Sequence, residues 1–471
     1  MTPDILGLTL VEVAAAIRGR RLSSLEVVRA CIARAEEVQP RLNCFIAIEA
    51  EAALSAAKKA DRALKMRGAR IGSLHGVPLA HKDLFYRTGK ISTCGSKILR
   101  GYRPEVTSTA VTRLAREGAI WLGNLNMAEF AANPTGHNDH WGDCRNPWNP
   151  AHMTGGSSSG SGAAVAGRLC FGSLGSDTGG SVRTPAAACG VVGLKPTYGL
   201  VSRHGVMPRS WSQDTVGVLA RTVQDCARLT GAIAGTDVRD PTCETRPVPD
   251  YEKALGGRIK GLRIGIPTNH YYDDSTDEIK RCMKASLDVF RSLGVRLVRL
   301  RVPDPAKLAL LSNIITIAEA SAIHRQWLRK RPQDYSPYTR ARIEPGYQIT
   351  ATAYLEALNL RAHFLREHMA GVFAKVDLLH TPVMTMAPPT IEETRPLDSG
   401  AVSAIVARIT RNTRPVNYLG LPALAVPAGF SSLGLPLAFQ LIGRPFAEAV
   451  LFRAAHRYQM ATDWHTAAPS L

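Results

Sequence analysis

Two Gly/Ser-rich turns carry the side chains of this sequence that are best suited to nucleophilic chemistry. The stretch Thr154–Pro185 reads TGGSSSGSGAAVAGRLCFGSLGSDTGGSVRTP, with Ser157 in its first turn and Ser181 in its second. Glycine lets a backbone bend sharply and lets another group approach bare N–H groups closely. Two such turns, joined by a compact run of small residues, can bring two hydroxyls together. We therefore predict that this stretch holds a hydrolytic active site.

A serine nucleophile needs a base, because its hydroxyl attacks poorly at neutral pH until another group takes its proton. No GxSxG elbow surrounds either serine, and the thirteen histidines stand in unrelated contexts. Lys82 follows the apolar run 77–80, where burial would lower its pKa and make it usable as a base. From this segment alone, a surface pair with Asp83 is the favoured interpretation. In a Ser–Lys triad, Ser157 could relay the proton from Ser181 to Lys82.

The second turn also supplies backbone donors for catalysis. Its run 178–181 (TGGS) offers neighbouring N–H groups that can point at the oxyanion formed when Ser181 attacks a carbonyl. A flexible linker and a phosphate-binding loop are the competing interpretations. A linker would not carry Asp177 and Arg183 beside its glycines, and the third glycine and the acidic residue of a dinucleotide fingerprint are missing.

The elements that must position these groups alternate between helices and strands. Two helices are predicted within 8–38, separated near Gly19, and further helices over 47–66, 108–117, 222–235, 276–293, 305–330, 350–375 and 446–460. Strands are predicted over 77–80, 119–123, 262–266, 295–301, 376–382, 423–427 and 437–442. This alternation predicts an α/β fold. We expect one large domain with a mixed, mostly parallel central β-sheet that helices cover on both faces.

The domain is expected to span residues 1–471 in three consecutive parts. Residues 1–70 form a helical N-terminal wrap, 71–230 form the catalytic core, and 231–471 complete the sheet and the substrate-pocket region. No internal repeat or low-complexity tract interrupts them.

Composition and charge exclude several other classes of protein. The nine cysteines are scattered and none shows zinc-ligand spacing, which predicts a reducing, cytoplasmic compartment and no metal. The N-terminus lacks the basic segment and cleavage site of a signal peptide, and no run of about 18 apolar residues predicts a membrane span. The net charge of +19 is spread along the chain without a nucleic-acid-binding motif, so a solvated basic surface is favoured over nucleic-acid binding.

Blocks along most of residues 8–460 resemble the amidase signature family. The family's GGSSGGS-type run corresponds to Gly155–Ser161, with Ser159 where glycine is common, and its D-x-GGS-[IV]-R-x-P run corresponds to Asp177–Pro185. Ser157 and Ser181 are 24 residues apart, which is the family's separation of its two catalytic serines. Further matching blocks are HGVPLAHKD (75–83), GLKPTYGLVSRHGV (193–206), SQDTVGVLARTVQDCA (212–227), RNTRPVNYLGLPALAVPAGF (411–430) and GLPLAFQLIG (434–443).

The resemblance implies a role for each residue of the predicted site. Ser181 would be the nucleophile, Ser157 the relay within the family's cis peptide bond, and Lys82 the general base and acid. Backbone N–H groups at four successive positions would form the oxyanion hole: Thr178, Gly179, Gly180 and Ser181. Three side chains would support this network: Ser158, Asp177 and Arg183. The family's chemistry implies no metal and no organic cofactor.

The implied function is hydrolysis of a carboxylic amide through a Ser181 acyl-enzyme, with release of ammonia or an amine. The expected partner is a small-molecule amide, without nucleic acid or membrane. The alternative is the glutaminase (A) component of a glutamyl-tRNA(Gln)/aspartyl-tRNA(Asn) amidotransferase. Such components usually place an acidic residue before Pro415, whereas 410–413 reads TRNT, so a free amidase is favoured. A non-catalytic binder is disfavoured because Lys82 and both serines are intact.

The substrate pocket is expected to draw on the loop 125–150 and the region 310–415. Its aromatic and cationic candidates are Phe130, His137, Trp141, Tyr338, Arg342 and Arg411. An arginine in the pocket would indicate a carboxylate-bearing amide. A homodimer is one oligomeric state that the sequence leaves open.

Overall fold

The computed structural model describes residues 4–395 and 400–471, apart from the side chain of residue 401. Its strands are, in chain order, β1 (Phe45–Ile48), β2 (Pro78–Lys82), β3 (Ile120–Leu125), β4 (Gly172–Asp177), β5 (Val192–Lys195), β6 (Thr215–Ala220), β7 (Arg263–Pro267), β8 (Arg296–Leu300), β9 (Leu378–Pro382), β10 (Ala423–Phe430) and β11 (Pro436–Gly443). They form a large sheet in the order β4-β6-β5-β10-β11-β9-β7-β8 and a small one in the order β1-β3-β2.

The large sheet is mixed, as predicted, but antiparallel neighbours outnumber parallel ones among the described strands. Only β7 pairs in parallel, with β8 and with β9. β4 and β5 run in the same direction around α6 (Arg183–Cys189), as a strand–helix–strand unit should, but β6 lies between them and pairs antiparallel to both. The short turn 431–435 forces β10 and β11 into an antiparallel hairpin. The expectation of a mostly parallel sheet is therefore wrong.

The small sheet carries the predicted base. β2 pairs in parallel with β3, and Lys82, the last residue of β2, lies opposite Leu125. All five residues of β2 are buried, so the strand delivers Lys82 into the interior. The predicted strand 77–80 therefore extends to the lysine itself.

Helices surround both sheets. In the described chain they are α1 (Leu10–Arg18), α2 (Ser24–Leu42), α3 (Ala50–Ala63), α4 (Thr109–Arg116), α5 (Ser159–Ala166), α6, α7 (Val223–Ile233), α8 (Tyr251–Ala254), α9 (Asp277–Ser292), α10 (Pro305–Lys330), α11 (Pro337–Ile343), α12 (Ala351–Gly371), α13 (Ile391–Thr394), α14 (Gly400–Thr410), α15 (Arg414–Tyr418) and α16 (Glu448–Gln459). The predicted capping signal at 23–26 forms a capping box, in which Ser23 and Glu26 each accept the other's backbone N–H.

Helix α5 brings the two Gly/Ser-rich turns together. Its sequence, SGSGAAVA, contains only small side chains, and every residue is buried. Small residues let a helix approach its neighbours closely, and α5 packs against α6 and β4. A Cβ added at Gly162 would lie only 2.9 Å from the carbonyl oxygen of Pro185, so a larger residue there would push the two helices apart.

Helix α10 is long and apolar enough, by length and composition, to cross a membrane. It packs against α12 and α15, however. Its Glu319 is buried and accepts hydrogen bonds from the hydroxyls of Ser210 and Tyr354. These contacts are typical of a helix inside a folded domain.

Candidate active site

Lys82 lies at the centre of the site and is fully buried. Its Nζ donates to Ser157 Oγ at 2.6 Å and to Ser176 Oγ at 2.9 Å. Burial lowers the pKa of Lys82 to about 7, although the charges of Asp214 and Asp177 oppose that change. A large fraction of this lysine is therefore a neutral amine near neutral pH, as a general base requires.

The first turn presents Ser157 to the lysine from a tightly enclosed backbone. The peptide bond Gly156–Ser157 is cis. A Cβ added at Gly156 would lie 2.6 Å from the carbonyl oxygen of Asn133, so only glycine fits there. The next residue joins the two turns, because Ser158 N donates to the carbonyl oxygen of Ser181 at 3.3 Å.

The second turn places Ser181 at the edge of a cavity. Ser181 is half-buried and lies in the turn that follows β4. It lines a cavity of about 230 Å³ together with Thr178 and Gly179 of the same turn. A substrate carbonyl can therefore reach the Ser181 hydroxyl from this cavity, whereas Lys82 behind it is closed to solvent.

The structure gives Gly180 a different contact from the other predicted oxyanion donors. Its N–H donates to Asp177 Oδ1 at 2.8 Å, which leaves Thr178, Gly179 and Ser181 as the candidates for an oxyanion. Gly180 has φ +128°, and a Cβ there would lie 2.5 Å from Thr413 Oγ1. Glycine at this position therefore shapes the turn.

Asp177 and Arg183 form a fully buried ion pair beneath the nucleophile turn. Burial alone would raise the pKa of Asp177, but Arg183 and a hydrogen bond from Asn417 hold it well below its usual range. Arg183 also donates to Gln440 Oε1 at 2.9 Å and to Asn417 Oδ1 at 2.6 Å. The pair thus anchors the turn to β11 and α15.

Several of these positioning residues were not among the sequence candidates: Ser176, Asp214, Thr413, Asn417 and Gln440. Asp214 accepts from Thr178 Oγ1 at 2.5 Å and so supports the turn from the residue before β6. The blocks 212–227, 411–430 and 434–443 contain four of the five, and their resemblance to the family was the available signal. Ser176 lies inside a Gly/Ser-rich strand, where one serine cannot be distinguished from its neighbours by pattern.

The predicted pocket residues are dispersed, and the structure does not bring all of them to Ser181. Phe130 packs in an aromatic cluster with His324 and Trp327. Trp141 stacks with Arg100, and Arg411 pairs with Asp274 at 2.6 Å. Phe130, Trp141 and Arg411 are all absent from the described lining of the cavity.

Of the other candidates, Arg342 reaches the cavity of Ser181, and Tyr338 and His137 lie in the region next to Arg342. Tyr338 and Arg342 line a second cavity of about 230 Å³, and Arg342 also lines the cavity of Ser181. His137 contacts the ring of Tyr338 and hydrogen-bonds Asp143. Two arginines that were not predicted, Arg209 and Arg414, complete the cationic lining beside Ser181.

Residues 4–395 and 400–471 contain no group of three or more His, Cys, Asp or Glu side chains that could hold a metal ion.

Comparison with known proteins identifies the family. The sequence profile named Amidase matches residues 26–452, which is most of the chain. The chain belongs to the amidase signature family. The A subunit of the glutamyl-tRNA(Gln) amidotransferase of Pelobacter propionicus is 39% identical over 486 residues, covering 98% of this chain and 99% of the relative. The corresponding protein of Geobacter sulfurreducens is 40% identical over 485 residues, with the same coverage.

A solved structure supports the fold of this amidase signature protein. That structure is of an unexpected vestigial protein complex that reveals the evolutionary origins of an s-triazine catabolic enzyme. It superposes with a TM-score of 0.89 at 33% identity and covers 96% of this chain and 98% of its own. The prediction of one α/β domain with a mixed sheet is thereby confirmed.

The comparisons also correct the predicted partners. The expectation of a small-molecule amide as the sole partner is wrong, because the curated relatives at this identity are subunits of a glutamyl-tRNA(Gln) amidotransferase.

Proposed function

We propose that this chain is the amide-hydrolysing component of an amidotransferase of the glutamyl-tRNA(Gln) type. It would release ammonia from a carboxamide donor, and the assembly would pass that ammonia on to its acceptor. The observation that carries the proposal is the end-to-end similarity to the A subunits, over 98% of this chain at 39% and 40% identity. That similarity supports the amidotransferase component over the free amidase that residues 410–413 favoured.

The proposed reaction begins with transfer of the Ser181 proton. Neutral Lys82 accepts a proton from Ser157, and Ser157 accepts the proton of Ser181. Ser181 Oγ then bonds to the carboxamide carbon, and free N–H groups of the turn 178–181 stabilise the oxygen anion. The 2.6 Å contact between Lys82 Nζ and Ser157 Oγ supports this route of transfer, because it places the two groups in direct hydrogen-bond contact.

Collapse of the intermediate breaks the carbon–nitrogen bond. The proton held by Lys82 returns through Ser157 to the departing nitrogen, which leaves as ammonia. Water then attacks the acyl-enzyme by the same proton route in reverse, giving the free carboxylic acid and regenerated Ser181. No group outside the chain, its substrate and water is consumed.

The test separates catalysis from assembly. A serine-directed fluorophosphonate should label Ser181 of the purified chain, and Ser181→Ala should abolish the label. Ammonia release from glutamine, and from glutaramate, which lacks the amino group of glutamine, is then measured for the chain alone and after co-expression with the other components and aminoacyl-tRNA. Stimulation by the partners supports the proposed role in a complex, whereas full turnover without them, unchanged on their addition, contradicts it.

A further inference from the structure

The cavity beside Ser181 carries three arginines and, among its described lining residues, no acidic side chain. They come from separate parts of the chain: Arg209 from the loop before β6, Arg342 from α11 and Arg414 from the start of α15. Arg414 packs on the nucleophile turn itself, because a Cβ added at Gly179 would lie 3.5 Å from Arg414 Cγ. Positive charge is therefore concentrated in the cavity that the reacting serine lines.

These arginines differ from the paired arginines elsewhere in the molecule. Arg183 pairs with Asp177 and Arg263 pairs with Asp377, each through two nitrogens. In the described chain no ion pair is recorded for Arg209, Arg342 or Arg414. The charge of Asp214 acts on Arg209, but three guanidinium groups that form no ion pair are still unfavourable in one cavity unless an anion joins them.

Arg209 shows most directly where that anion would lie. It is 5% exposed, its Nη2 donates to the carbonyl oxygen of Arg342 at 3.3 Å, and its Nη1 is buried without a partner. Asp214 accepts the backbone N–H of Arg209 at 2.7 Å, but its other oxygen is taken by Thr178. A donor that no protein group satisfies is thus left beside the cavity.

The charges of the neighbouring groups agree with this geometry. Burial and the nearby charge of Arg342 lower the pKa of Arg209 and of Arg414 to about 10, so both guanidinium groups still carry their proton at neutral pH. Arg342 faces Tyr338 on its other side, and the ring of Tyr338 bears no charge at neutral pH.

We infer that this cavity binds the carboxylate of the amide substrate, and that it selects anionic carboxamides without a free amino group. This inference rests on the proposed function, since it names the substrate class of the same site. Guanidinium groups pair with carboxylates bidentately, and three of them can satisfy all the lone pairs of one carboxylate. A substrate ammonium would find no acidic partner among the described lining residues and would lie beside three positive charges.

Glutaramate is the probe that isolates the proposed recognition. It has the carboxamide and the carboxylate of glutamine but lacks the α-ammonium, while valeramide has the same chain length and no charge. Binding is measured by calorimetry on the full-length Ser181→Ala protein, which requires neither turnover nor partner chains. Glutaramate should bind at least about tenfold more tightly than valeramide, and more tightly than glutamine.

Substitutions then test which groups cause the preference. Arg414→Met should weaken the binding of glutaramate by about 10- to 100-fold and leave the binding of valeramide unchanged. Arg414→Lys should keep part of the preference because it keeps the charge. Arg263→Met removes an arginine that pairs with Asp377 outside the cavity, and it should change the affinity for neither ligand. Unchanged valeramide binding in the Arg414 variant also shows that the protein is folded.

Two results would overturn the inference while the proposed function stands. One is equal binding of glutaramate, glutamine and valeramide by a protein whose wild-type Ser181 is labelled by the fluorophosphonate. The other is an equal loss of affinity for glutaramate and for valeramide in Arg414→Met. Failure of the proposed function has a different signature. It is either the absence of a label at Ser181 and of ammonia release from any amide, or full turnover that the partner proteins leave unchanged.

Discussion

The guanidinium of Arg183 donates to both carboxylate oxygens of Asp177, with Nε and Nη2 each 3.1 Å from their acceptors. Both side chains are fully buried, and Asp177 in turn holds the backbone N–H groups of Gly180 and Val182. The ion pair therefore sets the shape of the turn that carries the nucleophile, in addition to joining α6 to the sheet.

Removing Arg183 should destabilise the protein strongly. Arg183→Met leaves the Asp177 carboxylate buried without its partner, and loss of one member of a buried pair costs about 3–5 kcal/mol. Urea denaturation measures the change in the free energy of unfolding. Arg263→Met is the matched control, because its pair with Asp377 is partly exposed and should contribute about 0–1 kcal/mol. Equal losses in the two variants would contradict the importance assigned to the buried pair.

The rate of Ser181 modification should rise with pH through about 7. Lys82 accepts a proton only as the neutral amine, and its lowered pKa of about 7 means that this form is lost as pH falls below that value. The rate constant for fluorophosphonate labelling should therefore fall by about tenfold per pH unit well below the pKa.

Lys195 is the control for that pH profile. Burial lowers its pKa to about 7 as well, but its Nζ donates to the carbonyl oxygen of Pro196 and contacts neither serine. Lys195→Gln should keep the midpoint, whereas Lys82→Met should give a low, pH-independent rate. If the midpoint instead disappeared in Lys195→Gln, the group that titrates would be Lys195 and not Lys82.

Ser176 is expected to position the Lys82 amine. Its hydroxyl oxygen accepts from Lys82 Nζ at 2.9 Å, and loss of one such hydrogen bond reduces a rate by up to about tenfold. Ser176→Ala should lower kcat and move the pH midpoint to a lower value, because the charged amine loses an acceptor. Ser173→Ala removes another buried hydroxyl of β4 that bonds only to Leu174, and it should leave the midpoint in place.

Gly180→Ala should inactivate the site through its backbone. The residue has φ +128°, and a Cβ would lie 2.5 Å from Thr413 Oγ1, so both the conformation and the space oppose a side chain. We expect a loss of about 1–3 kcal/mol in unfolding free energy and of Ser181 labelling. Gly434→Ala is the control, because Gly434 has φ +70° but a Cβ there would meet no atom within 4 Å. It shows the effect of a positive φ without that of a clash. Normal labelling of Gly180→Ala would contradict the tight turn.

Sequence alone predicted the long elements well because their hydrophobic periodicity is strong. Helix α10 has the predicted bounds, and α9 and α7 lie within a residue or two of theirs. β4 and β6 were not predicted as strands. β4 reads GSLGSD, and small residues needed for close packing against α5 give no period to detect.

The residues of the site also differ in how far the sequence alone can predict them. Lys82, Ser157 and Ser181 could be named because their motifs are local, and the structure brings Lys82 into contact with Ser157. The cationic lining could not be predicted as a group, since Arg209, Arg342 and Arg414 are distant in sequence and converge only through tertiary packing. Residue type alone makes Phe130 and Arg411 pocket candidates, whereas tertiary packing gives both of them other partners.

Lys82 and Ser181 are attached to different sheets, the lysine to β2 and the serine to the turn after β4. Proton transfer between them therefore depends on how firmly the two sheets pack together, through the direct contact of β2 with β4 and through α5. Heating or a mild denaturant that loosens this junction would interrupt the relay while each sheet keeps its own hydrogen bonds. Loss of activity in this enzyme should precede loss of secondary structure, so its catalytic rate reports on the integrity of that junction.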